Sequence, residues 1–320
     1  MNRDLPFNRR QVFRLGFGAG LGAAGVASGF GTREAAAQAA AAPAASETAF
    51  GAAKHGMSVF GDLKYPADFV SFDYVNLKAP KGGAFSTVPS VRAYNQSYQT
   101  FNSLNAYILK GEGAQGMDLT FAALMVRAYD EPDAMYGLVA QSVAISEDRV
   151  VYRFTLRPEA KFHDGTRLTA HDVAFSLNVL KAKGHPLILQ QMRDVEGAEA
   201  PDDATVVVRF AKGHARDVPL YVAGLPIFSR AYYAKRPFDE STLDIPLGCG
   251  PYKVTRFEVN RFIEFERVKD WWGVDLPPMR GGYNFDTVRY EFYRDRDVAF
   301  EGFTAKNYLF REEFTARVWA

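Results

Sequence analysis

Cysteine is nearly absent from this sequence. Cys249 stands alone among 320 residues, which excludes an intrachain disulfide and any zinc or iron–sulfur centre built from several cysteines, so stability has to come from packing. An excess of either charge is missing too. Lysine and arginine number 38 against 37 aspartates and glutamates, which leaves no net field to draw in nucleic acid or acidic lipid. Catalytic signatures are equally scarce. Ser90, Ser97, Ser103 and Ser229 lack a G-x-S-x-G elbow, and Cys249 lacks a cysteine-hydrolase context. Gly248–Gly250 lacks the G-K-[ST] ending of a phosphate loop. Carboxylates are plentiful but scattered, so a glycosidase pair is neither shown nor excluded. No cofactor is called for.

What is present starts with apolar mass: 48% hydrophobic and 14% aromatic residues can bury a large core, and the length suits about two domains. Asn8-Arg9-Arg10-Gln11-Val12-Phe13-Arg14 is a twin-arginine head, with Val12 where phenylalanine is usual, followed by a weakly apolar Gly/Ala run from Leu15 to Phe30. This predicts a Tat-type export signal over 1–39, cleaved at Ala37-Gln38-Ala39, with the Tat machinery as a partner and the periplasm as the destination. A membrane anchor is the competing reading, but the run is shorter and richer in glycine than a spanning helix of ~20 residues. With no cysteine near the cleavage region, a lipoprotein anchor is ruled out. Residues 40–54, Ala-rich with Pro43, read as an unstructured linker.

From His55 to Gly83, aromatics alternate with turn formers, which suggests an extended segment lying over a larger core. Ala84–Pro89 offers a strand, and Phe121–Tyr129 has helical spacing. Ala140–Ile145 and Val150–Leu156 alternate around Ser146-Glu147-Asp148-Arg149, the pattern of a hairpin. Asp164-Gly165 supplies a tight turn. Thr169 with Asp172 three residues on then predicts a helix N-cap, followed by the apolar stripe Val173, Leu177 and Leu180 and a stop at Gly184-His185-Pro186. Val195–Ala200 and Thr205–Phe210 read as paired strands, and Leu220–Phe228 as a further element. Phe262–Arg267 and Val288–Tyr293 read as strands, and Val298–Ala305 as the start of a helix.

His163-Asp164 and His171-Asp172 invite a metal reading, but they lack the i, i+4 spacing of a helical zinc site, and turn-plus-cap roles account for them, so no metal is expected. Most aromatics must be core. In the loop from Val91 to Asn105 and just beyond it, however, Tyr94, Tyr98, Phe101 and Tyr107 lie among Asn95, Gln96, Asn102, Ser103 and Asn105. Rings there supply contact area and amides supply adaptable hydrogen bonds, a mix that suits a cleft.

The run from Tyr152-Arg153-Phe154-Thr155-Leu156-Arg157-Pro158 through Lys161-Phe162-His163-Asp164-Gly165-Thr166 to Asp172-Val173-Ala174-Phe175-Ser176-Leu177 resembles the signature of the family 5 extracellular solute-binding proteins, the oligopeptide, dipeptide and nickel type. Leu247-Gly248-Cys249-Gly250-Pro251-Tyr252 resembles the family's second block, with Cys249 where a small or hydroxyl residue is common. His55-Gly56-Met57-Ser58, Ala79-Pro80-Lys81-Gly82-Gly83 and Phe101-Asn102-Ser103-Leu104-Asn105 are similar to the YejA-type subgroup associated with microcin C and oligopeptide import.

The resemblance implies an α/β periplasmic binding protein-like fold (type II, cluster C) with mixed sheets. Lobe I would span 55–290, with a subsidiary domain at about 136–241 and a hinge near Asn284–Tyr290. The second lobe would begin at 291–320 and be truncated at Ala320. It also implies a non-enzymatic, monomeric protein that closes two lobes on an oligopeptide or peptide-like ligand and docks on ABC importer permease subunits. Muropeptides are a rival ligand, and a catalytic periplasmic domain is the alternative of another class. The expected ligand-binding residues are Tyr94, Asn95, Asn102, Ser103, Leu104, Asn105, Gly248, Cys249 and Gly250. For the 102–105 loop and the 248–250 turn two readings stay open, cleft lining or packing turns.

Overall fold

The computed structural model describes residues 48–316. The twin-arginine head, the cleavage tripeptide and the linker up to residue 47 lie outside the described residues. The last part of the expected linker is corrected: Phe50 and Lys54 form antiparallel bridges with Ser146 and Val143. The Gly51 amide donates to the Ile145 carbonyl at 2.9 Å, and the Arg153 guanidinium lies over the Phe50 ring at 4.2 Å. The chain is therefore joined to the fold from Ala49, whose carbonyl accepts from the Glu147 amide at 3.3 Å, rather than from His55. A polar strand edge offered unpaired amides and carbonyls, and these residues took them up.

The predicted hairpins and the helix between them form one four-stranded antiparallel sheet. Strands β5 (Ala140–Ile145), β6 (Val151–Leu156), β7 (Val195–Glu199) and β8 (Thr205–Phe210) lie in the order β5-β6-β8-β7. In β8, Val206, Val208 and Phe210 are buried while Arg209 between them is exposed, the alternation of a sheet with one covered face. The cover is helix α1 (Ala170–Lys183). Its start matches the expected cap: the Asp172 carboxylate accepts from the Thr169 amide at 3.0 Å and from the Thr169 hydroxyl at 2.9 Å. The second Asp172 oxygen accepts from the Arg230 amide at 2.9 Å, which fixes the short helix α4 (Arg230–Tyr233) on α1. Val173, Leu177 and Leu180 are all buried, each worth roughly 1.5–3 kcal/mol. Pro186 opens α2 (Pro186–Gln191) because its fixed φ suits a first helical turn. Helix α3 (Val218–Ala223) follows β8.

A second, mixed sheet has the order β2-β11-β10-β9, built from β2 (Ala84–Thr87), β9 (Tyr252–Glu258), β10 (Phe262–Arg267) and β11 (Thr287–Glu291). Its parallel pair, Ala84↔Thr287 to Thr87↔Tyr290, joins segments far apart in the chain. Helix α5 (Arg296–Thr304) comes next, and Phe310 then returns beside Thr87 in a parallel bridge.

The third sheet, β1-β4-β3, holds β1 (Gly56–Ser58), β3 (Met125–Ala128) and β4 (Glu131–Gly137). It corrects the helix expected over Phe121–Tyr129. Met125, Val126 and Arg127 pair with Gly137, Tyr136 and Met135 of β4, a strand the sequence reading had not assigned. Tyr136 also anchors the 55–83 segment. Its ring centroid lies 5.5 Å from that of Tyr65 and 5.6 Å from that of Phe72, and its hydroxyl accepts from the Tyr65 amide at 3.1 Å. One buried cluster runs through all three sheets, from Met57 and Met125 through Phe154 and Val208 to Ile263 and Phe292.

Candidate ligand-binding groove

The turn at 248–250 is a junction of three segments. The Thr120 carbonyl accepts from the amides of both Cys249 (3.0 Å) and Gly250 (2.8 Å). A Cβ on Gly250 would sit 2.6 Å from the Leu119 carbonyl oxygen, so glycine is needed for this approach. His163 of the Asp-Gly turn donates its amide to the Gly248 carbonyl and its Nε2–H to the Gly250 carbonyl, both at 2.8 Å. Burial holds its imidazole pKa below the ordinary value, against the smaller effect of that bond. The Cys249 carbonyl accepts from the indoles of Trp271 (2.8 Å) and Trp272 (3.2 Å). The thiol is fully buried, accepts from the Ala122 amide at 3.3 Å, and is pushed up to about 12 by burial, so it stays protonated. The carbonyls of Gly248, Cys249 and Gly250 and the amides of Cys249 and Gly250 are thus all bonded within the protein.

The loop at 94–105 is also internally bonded. Asn95 Nδ2 donates to the carbonyls of Asn105 and Lys110, each at 3.1 Å, while its Oδ1 is buried without a partner among the described residues. Asn102 Oδ1 accepts from the Glu112 amide at 2.8 Å. Ser103 Oγ accepts from the Asn105 amide at 3.1 Å, and the Leu104 amide donates to the Thr242 carbonyl at 2.7 Å. Asn105 donates through Nδ2 to the Phe238 carbonyl (2.7 Å) and accepts through Oδ1 from the Tyr107 amide (3.1 Å).

These two supports flank an open groove of about 760 Å³, a size common for small-ligand sites. Tyr94 is the one residue of the nine expected that lines it. Its other walls include Tyr107, Tyr129, Tyr221, Met279 and Tyr283, and its charged groups are Asp118, Arg127 and Arg280. Tyr94 and Tyr283 both have left-handed backbones, with φ of 50° and 53°. Such strain in a bulky residue persists only where the surroundings impose it, and it recurs at binding sites. The hydroxyls of Tyr94 and Tyr221 lie 3.3 Å apart.

Asp118 stands in the 3-10 turn Met117–Thr120, whose last carbonyl is the one gripped by Cys249 and Gly250. The 248–250 turn therefore supports the carboxylate without touching the groove, just as Asn105 supports Tyr107. Solvent in the groove reaches Asp118, yet the protein around it raises the carboxyl pKa by desolvation, against hydrogen bonds from the amides of 118 and 119. Tyr283 keeps 38% of its surface open to solvent, yet desolvation by the protein around its hydroxyl pushes the phenol up to about 12, and burial raises Tyr107 well above its ordinary value, so both remain neutral hydroxyls.

Asp118, Tyr221 and Tyr283 were missed because they come from unrelated segments, and no spacing in the chain connects them. A second groove of about 480 Å³ lies between the loop after β2 and α5, lined by Val88, Tyr98, Glu112 and Arg311 among others. Its Arg311 is bonded to Glu313 at 2.6 Å, and Asp295 caps α5 by accepting from the Val298 amide.

The family model for bacterial extracellular solute-binding proteins, family 5 (middle region), matches residues 134–320. The chain is 34% identical over 267 residues to the "Uncharacterized protein YejA" of Escherichia coli, which covers 83% of this chain and 42% of that protein. It is 33% identical over 265 residues to the "Peptidoglycan-binding protein YepA" of Agrobacterium fabrum, covering 80% and 42% respectively. Its fold is similar to that of the oligopeptide-binding protein AppA of Bacillus subtilis in complex with a nonapeptide, at a TM-score of 0.57 and 20% identity, over 73% of this chain and 44% of that one. The chain thus spans less than half the length of these relatives. By the family match and these identities, the chain belongs to the family 5 bacterial extracellular solute-binding proteins.

Proposed function

We propose that this chain is part of the substrate-binding component of an ABC importer and captures oligopeptides or peptide-like compounds, of which the microcin C type is one, in the periplasm. The observation that carries the reading is the groove itself. It is open, walled mainly by tyrosines and apolar side chains, and supplied with charges of both signs. Rings give large contact area at low entropic cost and hydroxyls at their rims give adaptable hydrogen bonds, which suits ligands of varied sequence. Binding followed by lobe closure needs no covalent step. The residues of the 248–250 turn and the 94–105 loop other than Tyr94 then serve by holding the groove residues in place. Export by the Tat route and docking on permease subunits complete this reading.

Mass spectrometry of the ligand that co-purifies with the protein from the periplasm tests it. Peptides or peptide conjugates are expected, and a metal complex, a haem or a free sugar would overturn it. A muropeptide ligand is the second reading, favoured by the likeness to the peptidoglycan-binding relative. Calorimetric titration with a muropeptide and with its free stem peptide separates the two, since only a muropeptide site requires the sugar.

A further inference from the structure

Beside the large groove, and sharing Met279, Gly282 and Tyr283 with it, lies a separate chamber of about 10 Å³. Arg267, the last residue of β10, lines this chamber. Asp286, which precedes β11, fixes the arginine: the Arg267 amide donates to the Asp286 carbonyl at 2.8 Å, and Nη2 donates to the Asp286 carboxylate at 2.5 Å. That leaves the Nε–H, which is buried and has no acceptor among the described residues. A buried charged donor without a partner is costly, and in native proteins such a group marks a bound water or ion.

Size and chemistry decide between them. A volume of about 10 Å³ is room for about one water-sized sphere, which excludes a carboxylate, a phosphate or a sugar. A buried water needs two to four polar partners. Much of the lining is apolar, and its polar groups are largely taken. The Trp271 indole N–H is bonded to the Cys249 carbonyl, and the amides of Val268, Val274, Met279 and Gly282 are bonded to backbone carbonyls. A single negative charge, by contrast, meets the Arg267 N–H in a charge-assisted bond. Lys81 lines the chamber as well; it is exposed and has no carboxylate within 4.0 Å among the described residues. Asp286 offsets the arginine, so the lysine leaves the chamber with positive charge to spare.

We propose that this chamber binds one monatomic anion, a halide such as chloride, held by the Arg267 Nε–H and by the charge of Lys81. The ion completes the hydrogen bonding of the guanidinium. It also braces the turn at Gly281–Tyr283, where φ is 78° at Gly281 and 53° at Tyr283, and so supports one wall of the groove from outside it.

Two measurements test it. In crystals of the protein grown with sodium bromide, the anomalous signal of bromine is expected to place one ion in the chamber, within hydrogen-bond reach of Arg267 Nε. In solution, the melting temperature at constant ionic strength is expected to rise and saturate as sodium gluconate, whose anion is too large to enter, is replaced by sodium chloride or bromide. Arg267→Lys keeps the charge and removes the Nε–H, and should lose this halide-specific rise. Lys81→Met, at an exposed position, should shift the midpoint of the rise at least threefold, or about 0.6 kcal/mol, to higher halide. Circular dichroism shows whether the variants fold, and if Arg267→Lys does not, Lys81→Met and the bromide crystals still decide. A water in place of bromide in the chamber overturns the inference, as does a halide-specific rise that both variants keep unchanged. Bromide in the crystals with no halide-specific rise in solution means an adventitious ion only, and overturns it too. None of these readouts involves peptide binding, so each outcome leaves the peptide reading where it stands.

Discussion

The indole N–H of Trp271 donates to the carbonyl of Cys249 at 2.8 Å, joining the Leu-Gly-Cys-Gly-Pro-Tyr turn to the Trp-Trp-Gly segment that follows β10. Trp271 is buried against Gly273, where a Cβ would meet the ring at 2.7 Å. Trp271→Phe keeps most of the apolar surface and removes the donor, leaving Trp272 at 3.2 Å as the remaining partner of that carbonyl. A loss of about 1–3 kcal/mol in urea unfolding is expected, because a buried acceptor loses its better partner. An unchanged midpoint would show that Trp272 alone holds the turn.

Gly250→Ala should be more costly than an ordinary glycine substitution. Its Cβ would fall 2.6 Å from the Leu119 carbonyl oxygen and 2.7 Å from the Phe121 amide, both backbone atoms that cannot rotate away. About 1–3 kcal/mol of destabilisation is expected from this overpacking, together with movement of the 3-10 turn that carries Asp118. Gly165→Ala is the comparison. There φ is 86° and nothing lies within 4 Å, so the cost is backbone strain alone, about 1–2 kcal/mol. Equal unfolding midpoints with unperturbed Tyr107 and Tyr283 resonances in Gly250→Ala would contradict the packing argument.

Asp118→Asn should raise the melting temperature of the ligand-free protein at pH 8. The folded-state carboxyl pKa is raised by desolvation, so the native state holds its proton more tightly than the unfolded chain. The ionised carboxylate therefore destabilises the fold above the folded pKa, and the penalty disappears as pH falls below the ordinary carboxylate range. The gain from asparagine should accordingly be present at pH 8 and absent near pH 3. Paired thermal scans at the two values check it, and a gain that is the same at both would assign the effect to something other than charge.

His163 predicts the opposite pH behaviour. Burial lowers its folded pKa below the ordinary value of 6.5, so the unfolded chain binds the proton more readily. The stability that depends on neutral His163 is present above pH 6.5 and is lost as pH falls through that value towards the folded pKa. Urea titrations at pH 8 and pH 5 should show a smaller loss in His163→Asn than in the unaltered protein. Part of the dependence should survive, since burial also lowers His185. Identical losses in the two proteins would remove His163 from the account.

Much of the fold was readable wherever the information is local. Thr169 and Asp172 lie three residues apart, and a helix start needs nothing more distant to satisfy its amides. The β5–β6 and β7–β8 pairs alternate along short stretches joined by turn residues, and their register follows. The 121–129 segment was misread because its buried residues Ala122, Leu124, Met125 and Ala128 fit a helical face as well as a strand. The decision fell to β4, whose backbone offered partners to Met125, Val126 and Arg127. The 94–105 loop and the 248–250 turn were located in the sequence by composition and resemblance, but which of their atoms face solvent depended on carbonyls at Thr120, Phe238 and Thr242. The groove was the least readable part. Its charge and rings come from residues around 94, 107, 118, 221 and 283, which share no period and no motif. Hydrogen bonding between near neighbours is written in the chain itself, whereas a concave surface exists only after distant segments have packed, and so tertiary structure alone decided which tyrosines surround Asp118.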